Sequence, residues 1–371
     1  MNMYSLSMFL YCILMLVGKT SVAQTDTEKI NKFLHDKMVE EHIPGLQIVV
    51  IRDNKIVLSE AMGMANIEFS VPVTKNTLFS INSIAKVFTG TAVMHLVEEG
   101  KINIEKPVRD YLDGLPVNWQ PVTLRQLLGH TSGIPDIEDE STGGLVGNKG
   151  EVTAWKTVQT MPMQFKPGER FSYNATNYLL LQKIIEKQGK LPFEQFIQKY
   201  QLSPVGMTKT IFGNSYEVEK DKAPTYCYYY LDRESGEHVK GNQLLETYEN
   251  FPKIFRADAG MYSTAEEMAQ WIIALQNNQL LKRKESIKMM WTPVKLTNGK
   301  IDGFGDILNG YAFGWPVVVR SKHPAVAPIG GGRAAFMIYP EDNLSIILLT
   351  NLSGCSPELI IDQVATMYFT N

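Results

Sequence analysis

Apolar residues recur at helical intervals in several stretches of the chain. Residues 25–42 alternate charged and apolar positions at that spacing, and Pro44-Gly45 follows them as a stop signal. Residues 83–99 contain no proline and are apolar on most sides, which predicts a helix buried inside the protein. Residues 180–188 predict a further helix, and residues 357–367 predict an apolar helix that closes the chain.

Runs rich in β-branched and aromatic residues predict strands near both ends of the sequence. Residues 46–51 and 55–61 flank Arg52-Asp53-Asn54, which is the pattern of an antiparallel hairpin. Three more such runs lie towards the C terminus, at residues 311–319, 334–339 and 344–350. We therefore expect one sheet to be built from both ends of the chain.

Other segments of the chain have a different character. Residues 136–151 are rich in acids and glycine and lack apolar periodicity, which predicts a mobile loop. Residues 226–230 contain four tyrosines and precede the turn-like residues 233–236, which predicts a strand pair bearing aromatic side chains. The pair Ser263-Thr264 predicts the N-cap of another helix.

The composition is that of an ordinary globular protein with one composite domain or two. The 371 residues are 44% hydrophobic and carry a formal net charge of −3. The chain has no excess of basic residues of the kind that would indicate a nucleic-acid partner.

Residues 1–23 predict a signal peptide. Residues 8–17 form an apolar core, and Ser21-Val22-Ala23 fits a cleavage site before Gln24. We therefore expect export to the periplasm or the medium, with no stable membrane span after cleavage. Because the basic residue of this segment, Lys19, follows the apolar core, a retained membrane anchor stays open as an alternative.

The numbers and spacing of the cysteines and histidines indicate which disulfide bonds and metal sites the chain could form. After cleavage only Cys227 and Cys355 would remain, so no disulfide framework is expected, although one bond between them stays open. The six histidines show no His-Glu-x-x-His spacing and the cysteines no Cys-x-x-Cys spacing. We therefore expect no metal site.

Ser83 and Lys86 are the strongest candidates for chemistry in this chain. They form its single Ser-x-x-Lys match, at the start of the predicted buried helix that Gly100 ends. Residues three apart share a helix face, so the Lys86 amine can reach the Ser83 oxygen and act as the base that a serine nucleophile needs. Burial is expected to lower the lysine pKa from its ordinary value of about 10.4. Alone, the motif is short enough to occur by chance.

The run from Leu127 to Gly133 has the sequence LLGHTSG. It resembles the LLxHTSG segment of serine hydrolases related to class C β-lactamases, penicillin-binding D-alanyl peptidases and the esterases of that fold. Two further runs, at residues 202–207 and 259–268, also resemble segments of this family. His130 is either a catalytic base or a helix-end histidine that bonds nearby backbone.

Residues 167–180 resemble the second motif of the same family, Tyr-x-Asn, whose tyrosine shuttles protons to and from the serine. Tyr173 takes that role by position, and a buried structural tyrosine is the alternative. This chain has Tyr173-Asn174-Ala175, so Ala175 stands where the family has an amide that contacts substrate. Asn177 is the candidate substrate-binding amide nearby, although it and Asn174 would leave the backbone in different directions.

Residues 329–336, with the sequence IGGGRAAF, match the third motif, but Ile329 replaces the usual lysine or histidine. The resemblance implies an oxyanion hole made by the backbone N–H groups of Ser83 and Gly332, with Gly331 beside the substrate. In an extended strand Arg333 would share a face with Ile329 and either supply a cation to the substrate or lie on the surface. The glycines also fit a dinucleotide pattern, but no predicted helix follows them, so no cofactor is expected.

The resemblance covers nearly the whole mature chain, residues 24–371, and implies an α+β fold. In this fold an antiparallel sheet is flanked by helices, a mostly helical subdomain spans residues 76–250 approximately, and the catalytic cleft lies between them. No Gly-x-Ser-x-Gly occurs, which argues against an α/β-hydrolase.

By the same resemblance, Ser83 attacks a reactive carbonyl of a small-molecule or peptide substrate while Lys86 and Tyr173 relay its proton. The acyl-enzyme that forms is then hydrolysed by water. The two departures, Ala175 and Ile329, favour esters over efficient β-lactam hydrolysis. They also motivate the alternative of a catalytically weak or inactive penicillin-binding-like protein with a binding or regulatory role.

Overall fold

The computed structural model describes residues 27–139, 144–147, 149–231 and 238–369. The predicted signal peptide lies outside the described residues, as does the predicted turn at residues 233–236. The helices are α1 (27–40), α2 (Ala85–Glu98), α3 (Leu124–Leu128), α4 (Glu151–Val158), α5 (Ala175–Gly189), α6 (Phe193–Ile197), α7 (Ser203–Val205), α8 (Ala265–Gln276), α9 (Lys284–Trp291) and α10 (Pro357–Ala365).

The strands are β1 (Gly45–Arg52), β2 (Lys55–Asn66), β3 (Val71–Pro72), β4 (Phe79–Ser80), β5 (Glu138–Asp139), β6 (Gly144–Leu145), β7 (Ile211–Phe212), β8 (Tyr226–Leu231), β9 (His238–Glu246), β10 (Met261–Ser263), β11 (Gly310–Tyr311), β12 (Pro316–Val318), β13 (Ala325–Val326), β14 (Ile329–Gly330), β15 (Ala334–Tyr339) and β16 (Leu344–Thr350). The main sheet has the order β11-β12-β13-β15-β16-β1-β2-β3, with β14 paired to β15. Its strand pairs are antiparallel.

The sheet joins the two ends of the chain, as the strand pattern predicted. β1 pairs with β16 on one side and with β2 on the other. The β1–β2 hairpin turns at Asp53 and Asn54, whose φ angles are 49° and 58°. Two consecutive left-handed residues are the requirement of the type I′ turn, which suits the twist of a hairpin, so this prediction is confirmed.

Both faces of the sheet are buried. In β1, Val49 and Ile51 pack into one hydrophobic cluster, while Ile48 and Val50 pack into another. Since successive strand residues point to opposite faces, these clusters lie on the two sides of the sheet. Helix α8 contacts β1, β2 and β16, and helix α10 contacts β15 and β16. Residues of α1 belong to the same hydrophobic cluster as residues of α10. The fold is therefore α+β, an antiparallel sheet flanked by helices.

Helix α2 is buried nearly all round, as its apolar sequence predicted. It packs against α5, α6 and α9, and the helices α2 to α7 all lie between residues 85 and 205. The proposed subdomain boundaries at about 76 and 250 stay a prediction. No helix in the described ranges is long and apolar enough to span a bilayer.

Three segments differ from the sequence expectation. Residues 311–319 form two short strands that reverse at Gly314, where a Cβ would lie 2.6 Å from the backbone oxygen of Lys86. Helix α5 begins at Ala175 instead of residue 180, because Asn174 caps it. Within residues 136–151, β5 pairs with β6, and residues 140–143 and 148 are not described.

Candidate active site

Ser83 lies in a tight turn that leads into α2. Residues Asn82–Ile84 form a 3-10 turn directly before that helix. Asn82 has a left-handed backbone (φ 43°), a conformation that asparagine tolerates better than most residues. Its Oδ1 accepts a hydrogen bond from Ser83 Oγ at 3.3 Å. The turn leaves Ser83 partly exposed, on the wall of a cavity.

Strand β14 passes so close to this turn that only glycine fits at Gly330. A Cβ there would lie 2.0 Å from the backbone oxygen of Ile81 and 3.2 Å from the backbone nitrogen of Ser83. The neighbouring residues Ile329 and Gly331 line the same cavity as Ser83. The third motif is therefore brought directly beside Ser83 through close backbone approach.

The Lys86 ammonium is buried in the first turn of α2, with 2% of the residue exposed. Its Nζ donates to the backbone oxygen of Asp258 at 3.2 Å and lies 3.7 Å from Asp258 Oδ2. The same Nζ lies 4.5 Å from the ring centroid of Tyr173. Burial lowers the pKa of Lys86, but the attraction of Tyr173 and Asp258 outweighs it and raises the net pKa above its ordinary value. The expectation of a lowered lysine pKa is wrong, because the partners were not visible in the sequence.

Asp258 is a site residue that the sequence analysis missed. It is 7% exposed and lines a cavity together with Ser83, Lys86 and Tyr173. Burial raises the pKa of Asp258 to about 7, opposed by Lys86 and assisted by Glu138. The available signal was its position, immediately before the family-like run that begins at residue 259.

Tyr173 stands at the edge of an aromatic cluster and is 36% exposed. Its ring lies 4.5 Å from that of His130 and 5.2 Å from that of Phe304. With Ser83, Phe304 and Tyr311 it lines a mostly apolar cavity of about 160 Å³. The alternative of a fully buried structural tyrosine does not describe this residue.

His130 is buried behind Tyr173 and bonds backbone. Its Nδ1 accepts a hydrogen bond from the Asn174 backbone N–H at 3.1 Å. Burial, followed by the charge of Lys86, holds the pKa of His130 well below its ordinary value. This geometry matches the helix-end interpretation rather than that of a base in contact with substrate.

Asn177 does not reach the cleft, which corrects its assignment as a substrate contact. The residue is completely buried, and its Oδ1 accepts a hydrogen bond from Ser132 Oγ at 2.6 Å. Its backbone N–H donates at 3.1 Å to Asn174 Oδ1, the cap of α5. Ala175, by contrast, lines the cavity with Asp258, so the position of the missing amide carries only a methyl group.

Arg333 is neither a cleft cation nor a surface residue, and both expectations are corrected. It is 2% exposed, and its Nη2 donates to Glu249 Oε1 at 2.6 Å. The same guanidinium bonds Ser80 Oγ and Ser353 Oγ, each at 2.9 Å. Two adjacent left-handed glycines, Gly331 and Gly332 (φ 56° and 60°), reverse the chain between β14 and β15 and allow this inward direction.

Gly332 keeps its assignment as an oxyanion donor only as a prediction. Its carbonyl accepts the backbone N–H groups of Gly354 and Cys355, each at 2.9 Å. Of the third-motif glycines, Gly331 lines the cavity with Ser83.

Cys355 and Cys227 are both free thiols. The described ranges contain no group of three or more side chains suited to a metal ion.

Comparison with known proteins places this arrangement in a family. The family model described as Beta-lactamase matches residues 30–364. Protein flp of Staphylococcus aureus (strain N315) is 26% identical over 355 residues, which are 94% of this chain and 67% of the relative. The chain thus spans about two thirds of that protein's length.

Solved structures agree with the match. An octameric penicillin-binding protein homologue from Pyrococcus abyssi is 30% identical, with a TM-score of 0.74, covering 91% of this chain and 76% of the other. EstCE1, a hydrolase with promiscuous acyltransferase activity, shares the fold at 18% identity, with a TM-score of 0.75 over 92% and 99% of the two chains. The chain therefore belongs to the Beta-lactamase family, whose members are serine hydrolases.

Proposed function

We propose that this protein hydrolyses small acyl esters through an acyl-enzyme on Ser83, and β-lactams slowly or not at all. The observation that supports this most is the shared cavity of Ser83, Lys86, Tyr173 and Asp258. It joins a nucleophile, a buried amine and a partly exposed phenol, the three groups that acyl transfer on this fold uses.

In the proposed first step, Ser83 Oγ attacks the ester carbonyl carbon and loses its proton to the Lys86–Tyr173 pair. The tetrahedral oxyanion is held by backbone N–H groups, of which we assign those of Ser83 and Gly332. The C–O bond to the leaving alcohol then breaks, and the alcohol oxygen takes the relayed proton. Water repeats the sequence on the acyl-enzyme and releases the acid.

The raised pKa of Lys86 decides how this relay responds to pH. Because the amine holds its proton in the resting site, one proton must leave the Lys86–Tyr173 pair before Ser83 can be activated. The active protonation state therefore becomes more populated as pH rises.

The preference for esters rests on what the cleft offers a carboxylate. A β-lactam carries a carboxylate that a third-motif cation would meet, and Ile329 occupies that position. Arg333 cannot substitute, since it is buried in an ion pair with Glu249. A lost charge-assisted bond is worth about 1.5 to 3 kcal/mol, so β-lactam recognition is weakened by about one to two orders of magnitude at this contact alone.

The test is a substrate panel of p-nitrophenyl acetate and butyrate, nitrocefin and a D-alanyl peptide, with Ser83→Ala as control. We expect turnover of the esters that Ser83→Ala abolishes, and little turnover of nitrocefin. Efficient nitrocefin hydrolysis would overturn the substrate ranking. If no substrate is turned over, the binding-protein alternative takes its place.

We also propose export of the protein, on the pattern of residues 1–23. N-terminal sequencing of protein recovered from its native cell is expected to begin at Gln24. An N terminus at Met1 in the membrane fraction would favour the retained anchor.

A further inference from the structure

The mostly apolar cavity beside Ser83 has three aromatic rings in its wall. We call it the aromatic cavity, and besides Ser83 its lining includes Tyr173, Phe304, Tyr311, Pro316, Pro328 and Ile329. Among the described residues that line it, none carries a charge. A substrate that reaches the Ser83 hydroxyl therefore meets an environment that favours apolar surface and disfavours an ion.

The volume of the aromatic cavity limits what it can hold. It measures about 160 Å³. An apolar protein cavity of roughly 150 Å³ is known to bind one benzene molecule, which gives a scale for this volume. The aromatic cavity thus has room for one phenyl-sized group, whereas a fused two-ring system such as naphthalene does not fit within it.

The three rings in the wall stand at steep angles to one another. The ring centroids of Tyr173 and Phe304 are 5.2 Å apart with an angle of 54° between the planes, and those of Phe304 and Tyr311 are 5.9 Å apart at 78°. Aromatic rings prefer such tilted or edge-to-face contacts, which stabilise a pair beyond the burial of its apolar surface. An aromatic ring that enters the cavity extends this set of contacts, so it gains more than an alkyl group of the same volume.

Much of the remaining lining is held in place by close packing. A Cβ at Gly314 would lie 2.6 Å from the backbone oxygen of Lys86, and a Cβ at Gly331 would lie 2.5 Å from Arg333 Nη1. The residue Tyr311 is 1% exposed, so its neighbours fix the position of its ring. The aromatic cavity is therefore largely formed before a substrate enters, and little conformational freedom is lost on binding.

Phe304 is the ring that a bound substrate would cover. It is 44% exposed, whereas Tyr311 beside it is buried. The loop that carries it is closed by two backbone hydrogen bonds between Gly305 and Leu308, at 3.2 and 2.9 Å. Apolar surface that is left in water next to a nucleophile is surface that a substrate can remove from water, and this removal favours binding.

We propose that the aromatic cavity binds one phenyl-sized ring of the substrate and that Phe304 determines this specificity. The inference rests on the proposed hydrolysis at Ser83 and names its substrate class, an ester that carries a single uncharged aromatic ring. Because Ser83 itself lines the cavity, the ring can belong to the acyl group or to the alcohol of the ester. The experiment below separates these two sources.

The test compares esters that differ in the ring they carry. Ethyl acetate is the reference without a ring, ethyl phenylacetate and ethyl 1-naphthylacetate carry a ring on the acyl side, and benzyl acetate and 1-naphthylmethyl acetate carry one on the alcohol side. Acid release is followed in a pH-stat, and each kcat/KM is divided by the rate constant of that ester with hydroxide, so that intrinsic reactivity cancels. In one of the two series, we expect the phenyl ester to exceed ethyl acetate by about tenfold or more and its naphthyl counterpart by about fivefold or more.

Variants test whether Phe304 causes the preference, through the ratio of kcat/KM for the phenyl ester to that for ethyl acetate. Phe304→Ala is expected to lower this ratio about fivefold and to raise kcat/KM for the naphthyl ester relative to the phenyl ester, because the wall is removed. Phe304→Tyr keeps the ring and is expected to keep the ratio. The matched control Phe69→Ala removes a phenylalanine that is 73% exposed and lies outside the cavity lining, and it is expected to leave the ratio unchanged.

The kinetic outcomes decide the inference separately from the function beneath it. If both phenyl esters are hydrolysed no faster than ethyl acetate, the ring site is overturned while the hydrolase stands. If Phe304→Ala lowers kcat/KM for all esters alike, or leaves every value unchanged, the ratio does not move and the role of Phe304 in specificity is overturned.

Binding is also measured apart from turnover, on Ser83→Ala, by ligand-observed NMR titration with the same esters. We expect this variant to bind one of the phenyl esters about tenfold more tightly than ethyl acetate. If the wild-type protein hydrolyses none of the esters while Ser83→Ala shows this preference, the proposed function fails and the ring site stands. If neither hydrolysis nor the preference in binding is observed, both proposals are overturned.

Discussion

Replacing Asp258 with asparagine should change how the stability of this protein depends on pH. The side chain is nine-tenths buried between α2, which contributes Lys86, and the segment that contributes Asp136 and Glu138. Asparagine has nearly the same shape but no titrating proton. The difference in free energy of unfolding between the two proteins therefore isolates the titration of this one group.

The sign follows from the raised pKa. Between an ordinary aspartate pKa of 3.8 and about 7, the folded state holds a proton on Asp258 that the unfolded state has released. Stability then falls as pH rises, by up to about 1.4 kcal/mol per pH unit, and the loss is complete above the folded pKa. Between pH 5 and pH 8 the loss occurs over about 2 pH units, because it ends near the folded pKa of about 7. The free energy of unfolding therefore falls by about 3 kcal/mol over this range.

The assay is urea unfolding at pH 5, 6, 7 and 8, followed by the fluorescence of the five tryptophans. Relative to Asp258→Asn, the wild-type protein is expected to lose about 3 kcal/mol across this range, with unchanged m-values. Other carboxylates titrate in both proteins and cancel in the difference. A difference that stays constant with pH, or one that grows in favour of the wild type, would refute the electrostatic account of this site.

Three further results are expected. The ester kcat/KM of the wild type should rise continuously from pH 5 to 9, because Lys86–Tyr173 must lose a proton; a flat pH profile would contradict the relay. Glu249→Ala should lower the free energy of unfolding by about 3 to 5 kcal/mol, since it leaves the buried Arg333 without a counter-ion, and a loss below about 1 kcal/mol in urea unfolding would show that the pair is dispensable. Thr264→Ala should lower the free energy of unfolding by about 1 kcal/mol by removing the α8 N-cap, whereas Thr264→Ser keeps the capping hydroxyl and should lose less; equal losses in the two variants would contradict the capping role.

The sequence pattern was sufficient to predict a structural feature where that feature depends on residues close together in the chain. The Asp53-Asn54 turn, the buried helix α2 and the Thr264 cap each depend on residues within a few positions of one another. The first motif also follows from such proximity, because Ser83 and Lys86 share one turn of chain. The turn, the helix and the cap were predicted correctly from the sequence alone, whereas the catalytic roles of Ser83 and Lys86 stay a prediction.

Long-range partners explain the predictions that were wrong. Arg333 is buried by a carboxylate 84 residues away, and Asn177 by a serine 45 residues away. Neither pairing leaves a periodic signal, so each residue was assigned to the cleft on its position beside a motif. The apolar sequence around Lys86 predicted its burial, and burial alone lowers a lysine pKa. Nothing in the sequence indicated that Asp258 lies opposite Lys86, so the opposing effect on the pKa was missed.

The central claim is that Ser83 forms a covalent acyl-enzyme, and intact mass spectrometry after exposure to a fluorophosphonate tests it most directly. The wild-type protein is expected to gain the mass of one phosphonyl group, mapped to the peptide containing Ser83, and to lose ester hydrolysis in proportion. Ser83→Ala is expected to gain none. An unmodified wild-type protein, or an adduct that forms equally on Ser83→Ala, would contradict the account.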